Sequence, residues 1–355
     1  MAEVGISSIA GYLPRLRLSK KTVAQANSWL APNLVGKGKG TRSMANWDED
    51  SVTMAVEAVR RILGNDDDRS HVDTLFFAST TMPFADRLNS GIMRAALTLE
   101  EETQCIDISS TLKSGTSALI QALDKVNSGS SNYSIVSAAD KRKSRSASSQ
   151  ELDFGDGSVA IAVDTKNLIA KYINSSSLSI DFVDHFRGPL EEFDYNWEER
   201  WVRDEGYLKI VPKAIKELFK KTDISGSDID HFILPSVFPR VDQMIAKKCE
   251  INPENVVSNL AQSVGDTGSA HSLLMFASVL EKAKAGEKIL VCGFGGGSDV
   301  LLFETTDNIK NFKPQQTIEN LLEIGVEENN YMKFLTFNDT VKWERGMRGE
   351  QDRKT

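Results

Sequence analysis

Two side chains that can exchange protons lie close together late in the chain, Asp266 and His271, within the segment SVGDTGSAHSLL. They are five residues apart, across a small-residue turn and the start of a predicted helix. A carboxylate beside a histidine can act as general acid and base without a covalent intermediate. A third acid, Asp156, lies in the loop GDG. An aspartate at a helix start also serves as an N-cap, so both roles stay open for Asp266.

The cysteines and glycines do not indicate a metal or nucleotide site. Cys105, Cys249 and Cys292 are odd in number and none lies in a CxxC pair, which argues against a disulfide framework and a zinc site. The glycines at 293 and 295–297 lack the Lys-Ser/Thr of a phosphate-binding loop. We therefore expect no metal and no required cofactor. Unpaired thiols fit a cytoplasmic protein.

Composition and charge exclude several classes of function. The chain has 355 residues, of which 40% are hydrophobic and 26% charged, as in ordinary globular proteins. A net charge of −8 gives no basic field that would attract nucleic acid or an anionic membrane. The N-terminus has the pattern of a strand rather than a signal peptide, and no apolar run approaches the length of a membrane span. We expect neither nucleic acid nor membrane as a partner.

The chain repeats itself once, with three matches at an offset near 155 residues and a fourth at the shorter offset of 140. Each match pairs a buried strand, or a strand followed by a turn and a helix, with a similar segment downstream. The pairs are 72–80 with 229–237, 106–123 with 258–280, 131–140 with 286–295, and 156–163 with 296–303. Because the matches occur in one order, they indicate two tandem copies of one unit.

The repeated pattern predicts an α/β fold. Each copy has the order strand, helix, strand, helix, strand, strand, and continuous apolar strands between helices indicate mostly parallel sheets covered on both faces. Two sheets that share a central helix layer form a five-layered αβαβα sandwich of duplicated βαβαβ-β units. The predicted parts are an N-terminal half at 1–163, an insertion near a cleft at 164–207, a C-terminal half at 208–307 and a tail at 308–355.

The tail is too aromatic to stay in solvent. Its side chains Tyr331, Phe334, Phe337 and Trp343 must bury against something, while its last residues are charged. Packing on the protein's own body and an arm that reaches another protein are the two alternatives.

Three segments together carry a resemblance to the thiolase superfamily: IDISSTLKSGTSALIQAL at 106–123, FGDGSVAIAV at 154–163 and VCGFGGGSDVLLF at 291–303. The sequence is most similar to archaeal and bacterial 3-hydroxy-3-methylglutaryl-CoA synthases, and more distantly to ketoacyl synthase III. The resemblance covers about residues 4–305. It implies a thiolase fold and a function with acyl-CoA.

The resemblance also implies where a catalytic site would lie. In the family a cysteine at a helix N-terminus is acylated by a CoA thioester, and its position here holds Leu112. The neighbours that the family keeps are all present: Asp107, Lys113, Gly115 and Thr116. The family's histidine, general-base glutamate and asparagine correspond to Ile233, Thr80 and Asp266. The predicted site is therefore degenerate, without the nucleophile and base of covalent Claisen chemistry.

Four residues match family stretches beside the CoA tunnel: Tyr207, Lys209, Lys213 and His185. Lysines can hold CoA phosphates as point charges. Lysines at this spacing are equally typical of a solvated helix face, and a histidine can be a hydrogen-bonded structural residue. Acyl-CoA or CoA is the ligand that the resemblance implies.

The resemblance and the degenerate predicted site together indicate two alternative functions. The first is a structural or acyl-binding subunit of an acyl-CoA-processing complex. HMG-CoA synthase-like proteins with a similar YNWEERW segment, here 195–201, are often encoded with a zinc-ribbon/OB-fold protein. The resemblance implies that partner, docked through the tail's WERGMRGEQ at 343–351, together with a thiolase subunit and a homodimer built through the strand at 131–139.

The second function is a stand-alone acyl-CoA enzyme that uses Asp266, His271 and Asp156 for non-covalent acid–base chemistry. A shifted register in which Cys105 is the nucleophile is a third interpretation. Cys105 lies on the strand before Asp107, which speaks against it.

Overall fold

A computed structural model describes residues 3–64, 68–342 and 344. Its strands form a large mixed sheet, a three-stranded sheet and a two-stranded ribbon. In chain order they are β1 (Gly5–Tyr12), β2 (Leu16–Ser19), β3 (Thr41–Met44), β4 (Thr74–Ala78), β5 (Gln104–Ile108), β6 (Ser134–Asp140), β7 (Gly157–Asp164), β8 (Ala170–Ser179), β9 (His185–Phe186), β10 (Tyr195–Asn196), β11 (His231–Ile233), β12 (Lys288–Phe294), β13 (Gly297–Thr305) and β14 (Val326–Glu328).

The helices connect these strands and cover them. In chain order they are α1 (Lys20–Ala26), α2 (Ser51–Leu63), α3 (Asn89–Ala96), α4 (Ser114–Asn127), α5 (Gln150–Asp153), α6 (Glu199–Trp201), α7 (Leu208–Thr222), α8 (Val241–Lys248), α9 (Ala261–Val264), α10 (His271–Leu280), α11 (Ile318–Glu323) and α12 (Tyr331–Phe337). A π-helical segment, Val202–Tyr207, leads into α7.

The large sheet confirms the duplication. Its order is β11-β12-β13-β8-β1-β7-β6-β4-β5, so β8, β13, β12 and β11 follow outward from the centre as β1, β7, β6 and β4 do on the other side. The pairing types match as well, because β6 and β7 are antiparallel, as are β12 and β13. Within the large sheet, the two halves meet where Gly5 and Ile6 of β1 pair with Lys171 and Ala170 of β8.

The layers follow from which faces are apolar. Helices α4 and α10 lie in the middle, since each contacts strands of both halves. Phe76 and Val136 point into this central core, while Leu75, Phe77 and Ile135 point to the outer core under α2. Strands buried on both faces have no polar alternation, which explains the continuous apolar runs in the sequence. With α7 over β8 and β13 on the other outer face, the layered α/β sandwich is confirmed. The prediction of two mostly parallel sheets was wrong, because the strands form one mixed sheet in which five of the eight pairings are antiparallel.

The two ends of the large sheet differ. In the first half β5 pairs along its length with β4 on one side, from Thr74 with Gln104 to Ala78 with Ile108. In the second half the position next to β11 holds only an isolated bridge between Phe232 and Val256. The described part of the second copy therefore lacks a full counterpart of β5.

One boundary and one dimer strand predicted from the sequence need correction. Strand β8 lies inside 164–207, the range predicted as an insertion, yet it pairs with β13 and belongs to the second half. That half therefore begins well before residue 208. The strand predicted to form a dimer, at 131–139, corresponds to β6, which has β4 on one side and β7 on the other. Its hydrogen-bonding edges are already used, and the edge strand of this half is β5.

The described part of the tail packs on the protein's own body. Strand β14 extends the small sheet by pairing with β2, and Phe334 and Leu335 of α12 join a cluster with Leu18 and Met44. The Tyr331 hydroxyl donates to Glu151 over 2.8 Å. Residues 343 and 345–355, which include most of the WERGMRGEQ segment predicted to bind a partner, lie outside the described residues. Among the described helices, none has both the length and the apolar character to cross a lipid bilayer.

Candidate active site

A cavity of about 270 Å³ opens where the two halves face each other at the start of α4. Its walls come from separate parts of the chain: the turn before α4, the loop after β6, α5, the β9–β10 ribbon, the π-helical segment and the turn before α10. The side chains that matter for its chemistry are Leu112, Arg142, Asp153, Asp184, His185, Tyr207 and Asp266.

The turn before α4 presents Leu112 to this cavity. The turn is tight, since Ser110 adopts a left-handed φ of 77°. Lys113, at the N-cap of α4, turns away and its Nζ lies 2.8 Å from Asp299 Oδ1 in a buried ion pair. Leu112 then lines both the cavity and a narrow extension of it beside Pro235 and Ser236. The aliphatic side chain of Leu112 thus lies at the N-terminal end of α4, a helix of fourteen residues, where the helix dipole would favour an anion.

Asp266 lies in the wall opposite α4 and is held by two donors. Arg142 Nη1 lies 3.1 Å from its Oδ2, and the Gly268 N–H donates to its Oδ1 over 3.0 Å. Arg142 is itself buried and also pairs with Asp194 over 3.2 Å. The carboxylate keeps 19% of its surface exposed toward the cavity. Asp266 is therefore a fixed anion in the cavity and not the N-cap of α10, which is Ala270.

The structure does not bring His271 and Asp156 into this cavity. His271 is buried, its Nδ1 accepts from the Thr267 N–H over 3.1 Å, and its Nε2 donates to Asn259 over 2.8 Å. Burial lowers the pKa of His271. Asp156 is fully buried, accepts from the Ala45 N–H over 2.7 Å, and has a pKa raised by burial. Both are structural groups, so acid–base chemistry in the cavity requires other partners for Asp266.

The other positions to which the resemblance assigned catalytic roles also lie away from the cavity. Ile233 is fully buried on β11 within the central core. The Thr80 hydroxyl donates to Asp140 Oδ1 over 3.0 Å, in a network where Asp140 also binds the Ser269 N–H over 2.7 Å. Cys105 lies on the edge strand β5, where burial raises its pKa. It does not line the cavity, so the shifted-register interpretation of Cys105 as nucleophile is wrong.

Two of the four predicted CoA contacts line the cavity. Tyr207 ends the π-helical segment and stacks on Phe294 with ring centres 4.0 Å apart. Tyr207 is held by the start of α7, which follows it directly. Pro212 has no N–H to donate to the Leu208 carbonyl, so Lys248 Nζ donates there instead over 2.8 Å and stabilises this first turn. His185 lines the cavity from β9.

The two lysines lie on the outside of α7. Lys209 is exposed and pairs with Glu205 over 2.6 Å, and Lys213 is exposed on the same helix. Neither lysine lines the cavity. Both lie on a solvent-exposed face of α7, which is the alternative that the sequence left open.

Three cavity residues were missed from the sequence. Arg142 is the buried cation that holds Asp266. Asp184 accepts from His185 Nδ1 over 2.9 Å, and although burial acts to raise its pKa, this hydrogen bond and the histidine's charge lower it overall. Asp153, on α5, has a pKa raised to about 6, chiefly by burial. None of them lies in a spaced motif, so only their meeting in space identifies them.

In sequence, the chain is similar to several known synthases. The family model described as 3-oxoacyl-[acyl-carrier-protein (ACP)] synthase III C terminal matches residues 219–301. A hydroxymethylglutaryl-CoA synthase of Caldivirga maquilingensis is 30% identical over 344 residues, which cover 93% of this chain and 97% of that protein. One of Aeropyrum pernix is 27% identical over 332 residues, covering 92% of each.

Solved structures agree in fold. An HMG-CoA synthase complexed with CoA superposes with a TM-score of 0.82 at 19% identity, covering 97% of this chain and 91% of that chain. The HMG synthase of the curacin biosynthetic pathway, in complex with apo donor-ACP, gives 0.83 at 18% identity, covering 96% and 89%.

The mirrored halves around α4 and α10 define a thiolase-type α/β fold, shared with HMG-CoA synthase and 3-oxoacyl-ACP synthase III. The cavity lies at the helix N-terminus between those halves. Because a 30% identical relative is matched over nearly its whole length, the chain belongs to the hydroxymethylglutaryl-CoA synthase family.

Proposed function

We propose that this chain binds acyl-CoA without being acylated and serves as an acyl-binding or structural subunit of an acyl-CoA-processing complex in the cytoplasm. The observation that carries the proposal is Leu112. It occupies the cavity position at the start of α4, where a nucleophile would gain from the helix dipole, and it cannot attack a thioester. In this proposal Leu112 takes the place that the resemblance assigns to the family's nucleophile.

The cavity itself supports binding of a ligand. Its lining combines apolar side chains, among them Leu112, Val237 and Phe238, with Arg142, Tyr207 and the carboxylates of Asp153, Asp184, Glu199 and Asp266. Small-molecule sites likewise combine apolar walls with fixed polar groups that orient the ligand. A relative in fold was solved with CoA bound, which supports CoA or an acyl-CoA as the ligand here. Binding would need no resident cofactor.

An exposed aromatic surface beside the cavity supports a protein partner. Phe186 and Tyr195 of the β9–β10 ribbon are 52% and 57% exposed, and Trp197 and Trp201 follow at 46% and 47%. Aromatic side chains at this exposure are enriched at protein interfaces. The partners we propose are a zinc-ribbon/OB-fold protein and a thiolase subunit. A homodimer would form through the free edge of β5, which replaces the strand expected from the sequence.

The deciding experiment is intact-mass measurement after incubation with acetyl-CoA, next to calorimetric titration with CoA. The proposal expects binding without a mass increase of one acetyl group. An acetyl adduct on the purified chain contradicts it. Acyl-group transfer that needs an added partner supports the subunit role, and co-purification from the native host identifies that partner.

A second function is favoured by one observation, the exposure of Asp266 to the cavity beside Arg142. A fixed carboxylate there can exchange protons with a bound acyl-CoA without a covalent intermediate. Because His271 and Asp156 are buried elsewhere, this stand-alone chemistry would depend on Asp266 and the cavity residues around it. Loss of the isolated chain's activity in Asp266→Asn, with unchanged activity in His271→Ala, would favour it.

A further inference from the structure

The pair Asp184–His185 has the geometry of a general base facing the cavity. His185 Nδ1 lies 2.9 Å from Asp184 Oδ2, and the two side chains are 16% and 12% exposed. An ionised carboxylate can only accept, so Nδ1 carries the hydrogen, and in the neutral ring Nε2 is then the nitrogen that can accept a proton. Nε2 has no hydrogen-bond partner among the residues that the structure describes. A carboxylate thus fixes the ring of a residue that lines the cavity and leaves Nε2 as its unpaired nitrogen among the described residues.

The other three histidines of the chain do not share this arrangement. His271 has both ring nitrogens hydrogen-bonded in the core. His231 pairs with Glu287 over 2.8 Å at the outer end of the sheet, and His71 packs edge-on against Tyr133. Only His185 lines the cavity.

Tyr207 supplies a hydrogen-bond donor to the same cavity. Its hydroxyl has no hydrogen-bond partner among the described residues, although the ring is well packed. Burial, with added contributions from Asp266 and Asp184, raises the Tyr207 pKa far above its ordinary value. The raised pKa favours the protonated O–H, which can donate to a carbonyl oxygen that gains negative charge.

We infer that this cavity hydrolyses the thioester of a bound acyl-CoA, with His185 as the base, Asp184 as its positioning residue and Tyr207 as donor to the carbonyl oxygen. The inference rests on the proposed acyl-CoA site. Because Leu112 closes the covalent route, water is the nucleophile. An adjacent carboxylate, a free imidazole nitrogen and an oxyanion donor are the groups that such a step needs.

The step balances without a further reagent. His185 Nε2 takes a proton from water while the water oxygen bonds to the carbonyl carbon, and Tyr207 donates a hydrogen bond to the oxygen that becomes negative. The C–S bond then breaks, and the proton on His185 passes to the CoA sulfur. The products are a carboxylic acid and the CoA thiol.

The test uses the full-length purified chain with acetyl-CoA and with 3-hydroxy-3-methylglutaryl-CoA, and it measures release of free thiol. Removing a general base costs about 100-fold or more, so His185→Ala should slow release by at least that factor. Tyr207→Phe should cost roughly 100-fold, as expected for one oxyanion donor. His231→Ala is the matched control, since it breaks a similar histidine–carboxylate pair outside the cavity and should leave the rate unchanged.

Further measurements separate the base from a structural role. Added imidazole should restore thiol release to His185→Ala, and Asp184→Asn should lower kcat with little change in KM. Calorimetric titration with CoA separates the two proposals. Binding with no release above that of His185→Ala overturns the hydrolysis and leaves the acyl-binding function standing, whereas absence of binding overturns both. Deuterium incorporation at the α-carbon without thiol release also overturns the hydrolysis.

Discussion

The Asp153 carboxylate in the cavity should cost the folded protein stability at neutral pH. Its side chain lines the cavity and has no hydrogen-bond partner among the described residues. Burial raises its pKa from 3.8 to about 6, the charges of Lys37 and Lys20 oppose the rise, and those of Glu199 and Asp266 add to it. Asp153→Asn removes the charge and keeps the shape of the side chain. We expect the variant to be more stable than the native chain.

The sign and size follow from the two pKa values. The unfolded chain loses this proton near 3.8 and the folded chain near 6, so the folded state holds more protons in between. Stability is therefore lost as pH rises through this window, and the loss is complete above about pH 6. A rise from 3.8 to about 6 corresponds to roughly 3 kcal/mol. Asp153→Asn should gain up to about that free energy of unfolding near pH 8, and little near pH 4.

Urea denaturation of both proteins across this pH range measures the difference. Asp307→Asn is the matched control, because Asp307 is exposed and a hydrogen bond from Lys310 lowers its pKa. Its substitution should have a small effect of the opposite sign. A gain for Asp153→Asn that is the same at about pH 4 and about pH 8 would refute the reasoning, as would the absence of any gain near pH 8.

Three further outcomes are expected. Leu112→Cys should be alkylated faster near pH 7 than the native cysteines, because its thiol would lie at the start of α4, and alkylation rates followed by mass spectrometry measure this. Tyr331→Phe loses the hydrogen bond to Glu151 and should lower the free energy of unfolding by about 1 kcal/mol, measured in urea. Gly268→Ala should cost roughly 2–3 kcal/mol and lower Tm, since its φ is 64° and a Cβ would lie 2.4 Å from Asp140 Oδ2; an unchanged Tm would contradict the strain.

The fold could be predicted from the sequence because its strands are apolar on both faces and recur in order. Strand β8 was missed because it lacks that pattern. Its sequence AKYINSSSLS is rich in serine and only partly buried, and its pairing with β13 holds it in the sheet. The dimer strand was misplaced for a related reason. The order of strands depends on partners far apart in the chain, which a local pattern does not encode.

The sequence alone predicted cavity residues only at turns of small residues that lead into helices. Leu112 and Asp266 follow small-residue turns before helices, and both line the cavity. His271 follows the same kind of turn, yet α10 is buried almost all around, so its histidine lies in the core. Asp153 and Asp184 gave no signal, because their chemistry arises from burial and from neighbours that only the folded chain brings near.

The unequal ends of the large sheet limit how copies of the chain can associate. A sheet with two long open edges could add molecules at both ends and grow into a fibre. Here the outer edge of β11 is three residues long and is partly covered by the backbone at Val256 and Val257, whose N–H donates to Phe232. Pairing of β5 with its symmetry mate would use up the one long edge. Association through strands would then stop at two molecules.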